Sequence, residues 1–313
     1  MKSKNKILLS SLLLASCSNS VSSANSQGNP ETKVEETASE EQASNSQKIL
    51  CPEGMANIED KFCIDRYEAS IIDQNTGAEA SPHYMPTQEL IYDADWQYNK
   101  FKSLDNLPMP LRGAEQNPDF KPAAVSQAGK IPATYIGRYI AEQACDYVGK
   151  HLCSHQEWYK ACVGPNGPAF KKNKQEKLPE AYPYGLQYQS GKCNLGQPWP
   201  IKILGRSTNW QMKDPRLSAL VDKNDLPFKR ATGSFPECTN EYGVYDMVGN
   251  AHEIVSDLHE AKPFKKVTFV GSHYARPTTE SCAEYTLDHG DFYTDYSVGF
   301  RCCTNITKGN IKP

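Results

Sequence analysis

The chain has 313 residues, with 34 Lys and Arg against 37 Asp and Glu and a net charge of −3 at pH 7. A near-neutral balance with no Lys/Arg cluster excludes the electrostatic footprint of a nucleic-acid-binding protein. Beyond the N-terminus, no stretch has the length or apolarity of a bilayer-spanning helix.

Residues 1–16 read as a lipoprotein signal peptide. Lys2, Lys4 and Lys6 supply the positive start, and Ile7 to Leu14 form an apolar run too short to span a bilayer. Leu14-Ala15-Ser16 then precedes Cys17 in the pattern of a lipobox, which makes Cys17 the expected lipidation site and a lipid anchor the expected tie to the membrane. The alternative is an ordinary signal cut near Ala15. In Gram-negative lipoproteins an Asp after the lipidated Cys favours the inner membrane. Ser18 stands there, which favours the outer membrane. Residues 17–48 are dominated by Ser, Asn, Gln, Glu and Ala. They offer too little apolar surface to offset the entropy of ordering and read as a tether with a reach of roughly 30 Å. Residues 49–313 remain as the folded domain.

With Cys17 set aside, ten cysteines are left, an even number in an exported chain without C-x2-C zinc spacing. They read as a disulfide framework rather than a metal site.

In chain order, Cys51 to Ser70 alternates apolar and polar residues and predicts a strand pair, which a Cys51–Cys63 bridge would close. Residues 72–131 are rich in Pro, Asn, Asp and Gln and read as loops. Tyr135 to Val148 carries Ile136, Ile140, Ala144 and Tyr147 at helical spacing, with Gly149 as terminator. Ser154-His155-Gln156-Glu157 is a capping-box pattern for a second helix that carries Trp158, Ala161 and Cys162. Residues 166–240 read as mostly irregular. Val267 to Gly271 and Val298 to Cys303 predict strands.

Four segments resemble one family. Gly149-Lys150-His151-Leu152-Cys153 through Glu157-Trp158 is similar to its G-K-R-L-P-T-x-x-E-W motif. Tyr182-Pro183-Tyr184-Gly185 followed by Asn194 is similar to its Y-P-W-G…N segment. Gly243 to Glu253 is similar to G-L-Y-D-M-V-G-N-V-W-E, and Gly299-Phe300-Arg301-Cys302 to the terminal G-F-R-C. These are motifs of the formylglycine-generating enzyme (sulfatase-modifying factor) family, in family order over about residues 51–303. The resemblance implies an α+β, C-type-lectin-like formylglycine-generating enzyme fold, poor in regular secondary structure and stapled by disulfides. It also implies Cys145–Cys302 and Cys162–Cys282 bridges. It leaves the other six cysteines open, and we take Cys51–Cys63, Cys153–Cys303 and Cys193–Cys238 as the working assignment.

The same resemblance shows what is altered. The family's enzymes hold Cu(I) between two Cys, a ligand type suited to a soft ion. Ala275 and Glu280 stand at those two positions, so copper chemistry is not expected. The family's W-E-W becomes His252-Glu253-Ile254. A structural Ca2+ site is implied at Asp246, Gly249, Ala251 and Glu253, all offering the oxygen donors a hard cation needs. A second one would start at Asn194. His252, His259, His273 and His289 leave room for another metal, as in an oxidase of altered chemistry. Tyr274, Arg276, Tyr285 and Tyr293 are expected to line a groove suited to a peptide or glycan. The sequence-level reading is therefore a non-catalytic envelope lipoprotein that binds or scaffolds an envelope protein, peptide or glycan. The alternative is a metal-dependent oxidase with an altered active site.

Overall fold

The computed structural model describes residues 51–87, 95–96, 99, 109–171, 177–200, 214–219, 228–260 and 265–306, all within one unit, Gln47–Pro313. Cys17 and the proposed tether lie outside the described residues.

The described residues begin with a hairpin of β1 (Met55–Ile58) and β2 (Phe62–Asp65). Its turn is set by Glu59 and Asp60, both at positive φ, and Asn57 braces it by donating to the Asp60 carboxylate over 2.7 Å. Two successive left-handed residues form the centre of a tight turn in which the Lys61 N–H donates to the Ile58 carbonyl, and their twist matches that of the flanking strands. β3 (Ala69–Asp73) follows and pairs antiparallel with β4 (Pro122–Ser126). β4 lies in the segment expected to be loop. Pro is tolerated as the first residue of a strand, and Ala123 and Ala124 are small enough to bury against β3.

Helix α1 runs Arg138–Asp146 and buries Ile140, Ala141, Ala144 and Cys145. It starts later than the apolar spacing suggested, because Tyr135 sits at φ 60° and Ile136 is buried ahead of the first turn. After β5 (His151–Leu152) comes α2 (His155–Val163), with a complete capping box. The Ser154 hydroxyl accepts from the Glu157 N–H, and the Glu157 carboxylate accepts from the Ser154 N–H. Between residues 166 and 240, the regular helix among the described residues is the short α3 (Pro215–Ala219).

The C-terminal part supplies β6 (His252–His259), β7 (Lys266–Val270), β8 (Tyr285–Thr286), β9 (Val298–Phe300) and β10 (Cys302–Asn305). The predicted closing strand is therefore two strands in two sheets. β9 pairs parallel with β6 in the order β8-β7-β6-β9, while β10 enters the sheet β1-β2-β10-β5. Arg301 is the joint. Its fully buried guanidinium donates to Glu253 and to the carbonyls of Asp65 and Tyr245, which belong to neither β9 nor β10.

Five bridges cross this frame: Cys51–Cys63, Cys145–Cys302, Cys153–Cys303, Cys162–Cys282 and Cys193–Cys238. Two of them fix the adjacent Cys302 and Cys303 of β10, one to α1 and one to the residue that precedes the cap of α2. Trp158 on α2 is fully buried among Ile58, Ile64, Met247 and Val270, where the layers meet.

Candidate functional site

Because β6 and β9 run parallel, the residues that lead into β9 lie beside the start of β6, with His252 opposite Val298. β7 delivers its C-terminal end to the same place. There Gly271 adopts φ 78°, and a Cβ would stand 2.6 Å from the Met247 carbonyl and 2.8 Å from the Trp158 ring. Only glycine allows that approach. Ser272 follows, also at positive φ, and turns the chain so that His273 comes under His252 with ring centres 4.9 Å apart.

The result is a cavity of about 410 Å3. Its buried lining includes His273, Asp295, Tyr296 and Ser297, and Tyr285, at 41 % exposure, stands at its mouth with Glu284, Asp288 and His289. His289 stacks on Tyr293 at 3.6 Å, and the Tyr293 hydroxyl donates to Asp295 over 2.7 Å. Ser297 fills the other Asp295 oxygen with its hydroxyl and its N–H. Burial raises the Asp295 carboxyl. It holds His252 down to about 3, helped by the Arg276 charge, and it holds His273 well below the usual imidazole range. Both imidazoles are therefore neutral at physiological pH. His252 Nδ1 is buried without a partner.

Of the residues expected to line a groove, Arg276, Tyr285 and Tyr293 do so. Tyr274 does not. It is fully buried behind the cavity against Phe228 and Tyr296, because the Ser272 turn points alternate side chains inward and backward. Ala275 packs in the same cluster as Tyr135 and Leu217, away from the cavity lining. Glu280 reaches the cavity but is clamped by the Ser272 hydroxyl and by Arg276 at 3.2 Å. Cys282, the nearest sulfur in sequence, is bonded to Cys162.

A buried polar cluster lies beside this cavity. Glu253 takes both ends of the Arg301 fork, at 2.6 and 2.7 Å, and the Trp158 N–H at 2.8 Å. Glu68 accepts from the Asn250 amide and the Ala251 N–H, and Asp246 from the Gly233 N–H. Gly249 makes the turn possible, since a Cβ there would stand 2.4 Å from the Asn194 carbonyl. Burial, with neighbouring carboxylates, pushes Glu68 well up and Asp246 up to about 6. The cluster holds three carboxylates and one guanidinium, an excess of negative charge that one divalent cation would offset. Oxygen donors are what a hard cation needs, but both Glu253 oxygens serve Arg301, and no group of three or more His, Cys, Asp or Glu among the described residues is arranged to hold a metal ion. Asn194, where a second Ca2+ site is implied, has its Oδ1 buried and unpartnered, an open oxygen of the right kind.

A model of the sulfatase-modifying factor enzyme 1-like domain matches residues 26–306. The chain belongs to this family. Its fold is accordingly the C-type-lectin-like one of formylglycine-generating enzymes. A curated relative, "Inactive C-alpha-formylglycine-generating enzyme 2" of Bos taurus, is 25 % identical over 183 residues, which are 56 % of this chain and 50 % of that protein. The chain thus spans about half the length of that relative. Among solved structures, PvdO from Pseudomonas aeruginosa is similar at 16 % identity and a TM-score of 0.38, over 78 % of this chain and 80 % of that one. The Major Tropism Determinant U1 variant is similar at 11 % identity and a TM-score of 0.43, over 83 % and 54 %.

Sulfatase-modifying factor motifs locate several cavity residues by register alone. Glu68, Asp295, Glu284 and Asp288 escaped the sequence reading. Asp295 had one local signal, a hydroxyl two residues away on each side, Tyr293 and Ser297. Glu68 had none, because its partners lie some 180 residues further along the chain.

Proposed function

We propose that the chain is a non-catalytic, lipid-anchored ligand-binding module, which presents the cavity beside β6 and β9 to a peptide or glycan in the bacterial envelope. The observation that carries this reading is the fate of the two positions that would hold copper. One, Ala275, packs into the core, and the other, Glu280, is clamped by Ser272 and Arg276, yet the cavity beside them stays open. A methyl group and a hard carboxylate give a soft ion no cradle. The relative named as inactive is in keeping with this reading. Structural Ca2+ at Asp246, Gly249, Ala251 and Glu253 belongs to the same proposal, and it requires Glu253 to exchange Arg301 for the ion.

The test has two arms. Purified protein is incubated with Cu(I), oxygen and a peptide bearing C-x-P-x-R, and mass spectrometry should find no aldehyde above a metal-only control. A Ser297→Trp variant, which fills the cavity, should lose retention of whichever peptide or glycan probe the intact protein holds. Aldehyde formation, or retention unchanged by Ser297→Trp, would overturn the reading. Cys17→Ser should release the protein from membrane fractions, and chelator should lower its melting temperature in a manner that Glu253→Ala abolishes.

A further inference from the structure

The geometry points to a cationic nitrogen group, an alkylammonium or guanidinium, as what the cavity mouth recognises. This rests on the binding reading above and names the chemistry of its ligand.

The charges at the cavity do not balance. Arg276 is the one Lys or Arg of the lining among the described residues; it pairs with Glu280 at 3.2 Å, while its Nε has no partner. Asp295 has both oxygens filled by Tyr293 and Ser297. Glu284 and Asp288 remain. Neither makes an ion pair among the described residues, and Asp288 takes only the Thr286 hydroxyl, over 2.9 Å. Glu284 is partly buried next to Glu280, and burial and that neighbour both hold its carboxyl up. A cation at the mouth beside Glu284 relieves its repulsion with Glu280. An anion would meet two carboxylates without an ion-pair partner, since the Lys177 and Arg276 charges offset Glu284 only in part and its carboxyl is still held up.

The rings at the mouth favour the same charge. Tyr285 is half exposed, and the stacked Tyr293 and His289 offer a flat aromatic face. Aromatic faces attract cations through their quadrupole. The imidazoles do not oppose this, because burial keeps His252, His273 and His289 on the neutral side. A second, independent feature points to a ligand: His252 Nδ1 is buried without a partner at the cavity. A polar group carried by the ligand would fill that vacancy, while the cationic end stays among Glu284, Asp288 and the rings. A volume of about 410 Å3 admits one long side chain together with part of its backbone.

The experiment is calorimetric titration of the full chain with capped lysine, capped arginine, free 1,5-diaminopentane and capped norleucine, the neutral isostere of lysine. The cationic probes should bind at least about tenfold more tightly than norleucine, which corresponds to roughly 1.4 kcal/mol. The Glu284→Gln, Asp288→Asn double variant should remove most of that preference, with an unchanged melting temperature as the check on folding. Capped residues that bind more tightly than the diamine would identify a peptide ligand, and the reverse order a small amine. Equal affinity for norleucine, no binding of any cationic probe, or a preference that survives the double variant would overturn the inference. Binding of a neutral or anionic glycan that Ser297→Trp blocks would do so too, while leaving the binding reading intact.

Discussion

Removal of the Cys145–Cys302 bridge should cost no more than removal of Cys51–Cys63, although the first spans 157 residues and the second 12. If each bridge closed an isolated loop, chain entropy would assign about 5 kcal/mol to the long one and about 3 kcal/mol to the short one. The bridges are not isolated. Cys153–Cys303 joins the residue next to Cys302 to a residue eight positions from Cys145. With that bridge intact, Cys145–Cys302 closes a ring of only about nine residues, for which the same relation gives about 2.6 kcal/mol. Paired Cys→Ala variants leave no free thiol to mispair, and denaturant unfolding of oxidised protein supplies the free energies. The two paired deletions should agree within about 1 kcal/mol. Deletion of both bridges to β10 should cost roughly 6 kcal/mol, because Cys162–Cys282 still restrains the larger loop. A cost for Cys145–Cys302 that exceeds that for Cys51–Cys63 by 2 kcal/mol or more would refute the nested-loop argument.

Four further outcomes are expected. Ser154→Ala removes the hydroxyl half of the α2 capping box and should cost about 0.5–2 kcal/mol in the same unfolding assay. Arg301→Met leaves Glu253 buried without its fork and should cost about 3–5 kcal/mol; a loss below about 1 kcal/mol would mean that the pair is not the joint between β9 and β10. Burial lowers the His155 pKa to about 4, so its contribution to stability is complete above pH 6.5 and is lost as pH falls from there towards 4. That loss is on the order of 3 kcal/mol, and His155→Phe should flatten this part of the stability profile. His252→Phe removes the unpaired Nδ1 together with the ring's bond to the Val270 backbone, so the melting temperature should stay within a few degrees while ligand retention is abolished; unchanged retention would show that the ring does not meet the ligand.

What the sequence made legible was local or carried by motif. The β1–β2 hairpin, the capping box and both helices are written in alternation, spacing and cap residues that act within a few positions. Register and two of the bridges, Cys145–Cys302 and Cys162–Cys282, came through family motifs, while the other three pairings had no motif behind them. The pieces that stayed hidden are those whose meaning lies across the chain. Pro122 to Ser126 lacks an apolar alternation of its own and becomes a strand because β3 offers it an edge. Val298 to Cys303 reads as one strand, yet Arg301 divides it by reaching for Glu253, Asp65 and Tyr245. Tyr274 has the composition of a groove residue and is core, since one left-handed residue, Ser272, decides which way it faces.

The distribution of strain links these features to function. Of the non-glycine residues with positive φ among the described residues, Glu59 and Asp60 make the hairpin turn, and the other four are Tyr135, Asp246, Asn250 and Ser272. Tyr135 donates its N–H to the carbonyl of Asp295, the buried acid of the cavity, over 2.8 Å. Ser272 presents His273 to the cavity and clamps Glu280. Asp246 and Asn250 flank the turn that carries the buried carboxylates. Asn and Asp adopt this conformation at modest cost, whereas Tyr and Ser pay more. A fold selected for stability alone would relax such positions. Here Ser272 lines the cavity and Tyr135 braces its buried acid, while Asp246 and Asn250 shape the polar cluster beside it; the cavity also holds an unpaired imidazole nitrogen and two acids without an ion pair. On the binding reading proposed above, these are the features a ligand would use, because groups that are unsatisfied or held off their preferred geometry in the free protein are the ones a ligand can complete.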